Sequence, residues 1–175
     1  MKTRSTIGLM LTVILFSTVT HSANHNYQNQ ATVILEESIL GTVVVDQIND
    51  TGVIEPNIAT IKQTGIKNKA YVIQHGSNNT SDISQHGTVN IAATTQLGSD
   101  KTATIVQDGS YNAAFIVQTG TDESDIELTQ NDCGNIAYVK NTAQVENTLS
   151  FTQNGGELLI IKNGLSANIS LTQGK

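Results

Sequence analysis

Residues 63–118 read, in lines of eleven, QTGIKNKAYVI (63–73), QHGSNNTSDIS (74–84), QHGTVNIAATT (85–95), QLGSDKTATIV (96–106) and QDGSYNAAFIV (107–117), with Gln118 opening the next. Gln63, Gln74, Gln85, Gln96, Gln107 and Gln118 thus fall at an unbroken spacing of eleven, each followed two residues later by Gly65, Gly76, Gly87, Gly98, Gly109 or Gly120. Only thirteen glutamines occur in 175 residues, so composition does not account for the spacing, and self-similarity at a fixed period is the signature of a stacked repeat. Between the glutamines the chain alternates, as in Asn68-x-Ala70-x-Val72-x-Gln74 and Asn79-x-Ser81-x-Ile83-x-Gln85. Seven residues at period two make a strand. A helix is excluded, because Gly recurs in every unit, Asn in all but the one from Gln96, and β-branched residues lie between them.

The pattern continues on both sides. Asn57 opens the first clear strand; Asn90, Lys101 and Asn112 open those ending at Gln96, Gln107 and Gln118. Beyond them come Ser124-x-Ile126-x-Leu128-x-Gln130, Asn135-x-Ala137-x-Val139-x-Asn141 and Asn147-x-Leu149-x-Phe151-x-Gln153. The end is looser: Leu158-x-Ile160-x-Lys162 puts Lys162 in a glutamine slot, and Ala167-x-Ile169-x-Leu171-x-Gln173 closes the array. Two strands and two turns make a coil of about 22 residues, so the expected fold is all-β, an amyloid-like parallel β-solenoid whose strands alternate between two sheets. Small apolar side chains fill the interior. The glutamines, Asn141 and the asparagines that open the strands bracket it as ladders, because a buried amide stacked about 4.8 Å from its equal can pass hydrogen bonds along the array.

The outward positions differ between the sheets. One outer face carries Tyr71, Ile73, Ile91, Ala93, Phe115, Val117, Ile136, Tyr138, Leu159 and Ile161; the other is dominated by Thr, Ser and Asp. A contiguous exposed apolar face marks an association surface.

Residues 1–23 read as a secretory signal, with Lys2 and Arg4 ahead of the apolar run Ile7 to Val19 and small residues suited to cleavage after Ser22 or Ala23. That run is shorter than the roughly 20 residues that span a bilayer. Without it the chain keeps seven lysines, no arginine and fifteen acidic residues, a net charge of about −8 that offers no basic stripe to nucleic acid. Residues 24–56 form a less regular N-terminal segment, with strand-like Asn29-x-Ala31-x-Val33 and Val43-x-Val45-x-Gln47 and a boundary at Pro56; residues 57–175 are the repeat array. Cys133, the one cysteine, lies in a turn and has no internal partner for a bridge.

The unit Gln-x-Gly-x-x-Asn-x-Ala-x-x-x-Gln resembles the curlin repeat of bacterial curli fibres. It is complete from Gln63 through Gly65, Asn68 and Ala70 to Gln74, from Gln85 through Gly87, Asn90 and Ala92 to Gln96, and from Gln107 through Gly109, Asn112 and Ala114 to Gln118. A fourth copy from Gln130 shifts its glycine to Gly134 and ends in Asn141; a fifth, Gln153 to Lys162, is degenerate. The resemblance implies a secreted functional amyloid, passed unfolded through the curli outer-membrane pore with its accessory factors. At the cell surface it polymerises with itself and other curlin subunits into a fibre of the biofilm matrix that serves adhesion. It further implies a major subunit that builds the fibre and a minor one that nucleates it. The absence of a Gly-rich N-terminal segment and the Lys162 departure favour the minor subunit over the major.

Two other classes fit less well. Solenoid hydrolases need clustered carboxylates or bases, whereas Asp82, Asp125 and Glu127 are scattered among Thr and Ser, so no catalytic or cofactor residues are assigned. His75 and His86 lie in consecutive turns at opposite edges of a coil and cannot share a metal. An ice-binding or adhesive solenoid that does not polymerise would use Thr80, Thr102, Thr104, Thr148, Thr152 and Thr172, but the same acidic residues interrupt any flat threonine array.

Overall fold

The computed structural model describes residues 12–18, 29–48, 55–164 and 167–174. Within them run fourteen strands: β1 (Thr12–Thr18), β2 (Gln30–Ile39), β3 (Thr42–Ile48), β4 (Ile58–Ile66), β5 (Lys69–His75), β6 (Thr80–Thr88), β7 (Ile91–Leu97), β8 (Lys101–Ser110), β9 (Ala113–Thr119), β10 (Ser124–Cys133), β11 (Ile136–Asn141), β12 (Asn147–Asn154), β13 (Leu158–Asn163) and β14 (Ile169–Gly174). The odd-numbered strands form one seven-stranded sheet and the even-numbered strands the other, each in sequence order. Every pairing is parallel. The chain is therefore an all-β, two-sheet parallel β-solenoid.

Register follows from the period of two. A slip by one residue would turn each strand's apolar set to solvent, so like sits on like: Ala59, Ile61 and Gln63 of β4 pair with Ser81, Ile83 and Gln85 of β6. These in turn pair with Ala103, Ile105 and Gln107 of β8. The opposite sheet supplies Ala70 and Val72, Ala92, and Ala114 and Ile116 to the same buried interior. Two polar residues interrupt it. Ser81 and Thr94 face each other across the core and join hydroxyls at 2.7 Å, so neither is left unsatisfied.

The last odd strand departs from the expected register. Ala137 pairs with Leu159, Val139 with Ile161 and Asn141 with Asn163. Leu159 and Ile161 are thus inward residues, Leu159 being fully buried and Ile161 packed against the core, and not members of the apolar outer face. Leu158 and Ile160 take those outer places, each 61% exposed. Lys162 points outward beside Lys140, and Asn163 occupies the glutamine slot. The cause is a turn one residue shorter than its predecessor. Gly155 and Gly156, both at positive φ, carry the chain from Asn154 directly to Glu157, whose carbonyl accepts from the Ile136 amide as Asn135 does from Ala113.

Strands β2 and β3 lie within residues 24–56 and make a coil of the same stack, β2 on β4 and β3 on β5, with a local register irregularity between Glu36 and Ile39. β1, which lies inside the stretch read as a secretory signal, pairs with β3. Lys2, Arg4, Ser22, Ala23 and the turn residues 49–54 fall outside the described residues.

Candidate functional site

The glutamines form two rails. In the even sheet Gln63 Nε2 donates to Gln85 Oε1, Gln85 to Gln107, Gln107 to Gln130 and Gln130 to Gln153, each at 2.8 Å, and Gln153 to Gln173 at 3.4 Å. In the odd sheet Gln47 donates to Gln74 at 2.7 Å, Gln74 to Gln96 at 2.8 Å and Gln96 to Gln118 at 3.0 Å. Every one of these bonds runs the same way, from the earlier coil's nitrogen to the later coil's oxygen. The second amide hydrogen crosses the coil: Gln74 donates to the Ile58 carbonyl at 3.0 Å, Gln85 to Lys69 at 3.0 Å and Gln107 to Ile91 at 3.0 Å. Each buried amide therefore joins its coil to the next and ties the two sheets of its own coil together. The cross-coil bond has no signature in the spacing, since it depends on how far apart the two sheets stand.

The asparagines act as clasps between coils. Asn68 Oδ1 accepts from the Asn90 backbone N–H at 3.0 Å and its Nδ2 donates to the Gly87 carbonyl at 3.2 Å. Asn90 repeats this on Asn112 and Gly109, and Asn57 on Asn79 and Gly76. Asn112 and Asn135 continue the clasp through the Asn135 and Glu157 amides. The glycines allow the turns to stack. Gly87 has φ 116, and a Cβ there would run into the Gly109 carbonyl oxygen. Non-glycine residues before the asparagine slot also take left-handed backbone, including Lys67, Val89 and Tyr111; for β-branched Val89 this is a strained choice.

Three positions interrupt the pattern. Lys101 stands in an asparagine slot, 1% exposed, and its Nζ leaves the ladder to donate to the Ser99 and Asp122 carbonyls at 3.2 and 2.8 Å. Burial lowers its ammonium pKa below the usual lysine value, while the charges of Asp100 and Asp122 act in the opposite sense. Beneath it Asn79 Oδ1 is buried without a partner. Ser124 fills the next slot and receives a bond from Asn141 at 2.6 Å. Asn141, one methylene shorter than glutamine, also donates to Asn147 at 2.6 Å, so the odd rail is handed sideways at Gln118, whose nitrogen goes to the Ser124 carbonyl.

The outer faces are unlike. On the odd sheet Tyr71, Ala93, Phe115, Tyr138 and Ile160 stack in one column. Ile73, Phe115 and Ile136 are 39%, 36% and 49% exposed, and Ile91 and Val117 are half-buried. On the even sheet Asp82 lies between Thr60 and Thr104, and partial burial raises its carboxyl pKa above the usual value. His86 of β6 meets Asp108 at 2.8 Å and His75 at the end of β5 approaches Asp46 at 3.9 Å, on different sheets. Cys133 is an exposed free thiol. Among the described residues no three His, Cys, Asp or Glu side chains converge. The grooves lined by Lys140, Lys162 and Asn163 and by Thr148, Ser150 and Ile169 are shallow and open to solvent.

The Curlin associated repeat family matches residues 57–87, 76–109 and 98–131. No curated protein and no solved structure matches the chain. The three overlapping matches fall on the coils where rails and clasps are most regular, from Asn57 through Gln130, and that repeat supports a place for the chain in the curlin family.

Proposed function

We propose that the chain is an exported subunit of curli fibres that adds end to end to other curlin subunits in the biofilm matrix and contributes to surface adhesion. Curlins are structural amyloid subunits, not enzymes, and this chain is read as one of them. The observation that carries the templating reading is the one-way run of Gln63, Gln85, Gln107, Gln130 and Gln153 to Gln173. A parallel edge with amides at the same repeat is a template for a further coil of the same kind. On this reading residues 1–23 are a secretory signal and the ladder amides are the assembly residues. The curli pore and its accessory factors are the export partners.

The minor, nucleating subunit is the preferred assignment and the major subunit the alternative. Its support is the absence of a Gly-rich N-terminal segment together with the irregular slots at Lys101, Ser124 and Asn141. Lys162 no longer contributes, since it points outward. The test is seeded growth: the exported chain, incubated at neutral pH, should form fibres after a lag that its own seeds abolish. Seeds of this chain should also shorten the lag of a major curlin subunit. A chain that stays monomeric and is indifferent to seeds would overturn the proposal.

A further inference from the structure

The rails have a direction, and their two ends do not match. At the far end Gln173 accepts from Gln153, and its own Nε2 has no later rung among the described residues. At the near end of the same rail the partner of Gln63 across β2 and β4 is Leu35, which packs against the core and carries no amide. As a result Gln63 Oε1, buried, has no donor. Gln85 Oε1, one coil on, accepts from Gln63 at 2.8 Å. The odd rail is different, because its near end is a glutamine: Gln47 pairs with Gln74, and its Oε1 likewise waits for a donor.

Joining two copies through the even sheet sets β14 of one against β2 of the next. Without β1 the odd sheet has one strand fewer than the even sheet, so one odd rung stands open between Asn163 and Gln47. In the even sheet Gln173 Nε2 meets Leu35, and an amide hydrogen enters a buried joint without an acceptor, a penalty that a carboxamide in the Leu35 slot would remove. We propose that Leu35 is the specificity-determining residue of the coil-to-coil joint: the Gln173 edge receives an incoming coil with a carboxamide in that slot in preference to this chain's own first coil. The inference rests on the end-to-end templating reading above. It adds that self-addition through the even sheet is handicapped at one defined side chain.

The experiment uses wild-type fibres as seeds and compares initial elongation by three exported chains: wild type, Leu35→Gln and Leu35→Met. Methionine matches glutamine in length and offers no carboxamide, so it separates the amide from the packing. Leu35→Gln should elongate about fivefold faster than wild type, the factor of one amide hydrogen bond, and Leu35→Met should stay at the wild-type rate. On seeds made from Gln173→Ala the advantage should disappear. Equal growth by all three chains, or an advantage that survives on Gln173→Ala seeds, would overturn this inference and leave templating intact. Failure of all three to grow on any seed would overturn the templating reading and this inference with it.

Discussion

Replacing Lys101 by asparagine should strengthen the array. In the intact slots an asparagine both accepts the next coil's amide and donates forward, and Asn79 also reaches back to Asn57 Oδ1 at 3.0 Å. Lys101 still donates forward, to the Asp122 carbonyl, but its ammonium cannot accept and does not reach back, and Asn79 Oδ1 is left buried without a partner. Supplying a donor there removes a penalty of about 1–3 kcal/mol. Against it stand the two Nζ bonds to the Ser99 and Asp122 carbonyls. Those carbonyls sit in turns that water can reach, so losing them costs about 1 kcal/mol. The net expectation for Lys101→Asn is a gain of up to about 2 kcal/mol per chain, read as a higher denaturant midpoint for fibre dissolution. A second readout tests the cause. Because burial lowers the Lys101 pKa in the folded chain, the folded state binds that proton less tightly than the unfolded one. The resulting destabilisation is full below the lowered pKa and fades as pH rises towards the ordinary lysine value. Wild-type fibres should therefore gain stability on the alkaline side, and Lys101→Asn fibres should lack that gain. An unchanged or lower midpoint, with the alkaline gain intact, would refute the reasoning.

Gln107→Ala strands the nitrogen of Gln85 and the oxygen of Gln130 and should cost about 2–4 kcal/mol, slowing assembly far more than Thr104→Ala on the outer face; Gln85→Ala should behave in the same way. Gly87→Ala brings a Cβ onto the Gly109 carbonyl and should cost about 3 kcal/mol or more, whereas Gly156→Ala, with nothing within 4 Å, should cost about 1 kcal/mol; denaturant midpoints of the two fibres give the comparison. Asp82 has a raised carboxyl pKa, so its contribution is full below the ordinary aspartate value and is lost as pH rises through the raised one. Asp82→Asn should flatten that acid-side change, measured as fibre stability across mildly acidic pH.

Strand positions and the two-sheet plan were legible because Gln63 to Gln118 repeats without a break and each strand alternates cleanly. Legibility failed where the turn length changed. Leu158 to Ile161 is a continuous apolar run, so alternation alone cannot say which half faces in, and the short Gly155-Gly156 turn decides it. The amide rails could be anticipated from buried glutamines at one period. Their direction could not, because an amide's donor and acceptor ends are set by the carbonyls that surround it, as Ile58 and Lys69 do for Gln74 and Gln85. Burial of Lys101 was equally invisible, since a lysine opening a strand reads as a solvated end. The weight of Leu35 emerged only when β2 proved to stack on β4.

The central claim, that amide-railed coils stack parallel and continue from chain to chain, is tested most directly by X-ray diffraction from aligned fibres of the exported protein. The account predicts a reflection along the fibre axis at about 4.8 Å and one across it at about 10 Å. Fibres lacking that pair, or carrying the strand spacing across the axis, would contradict it.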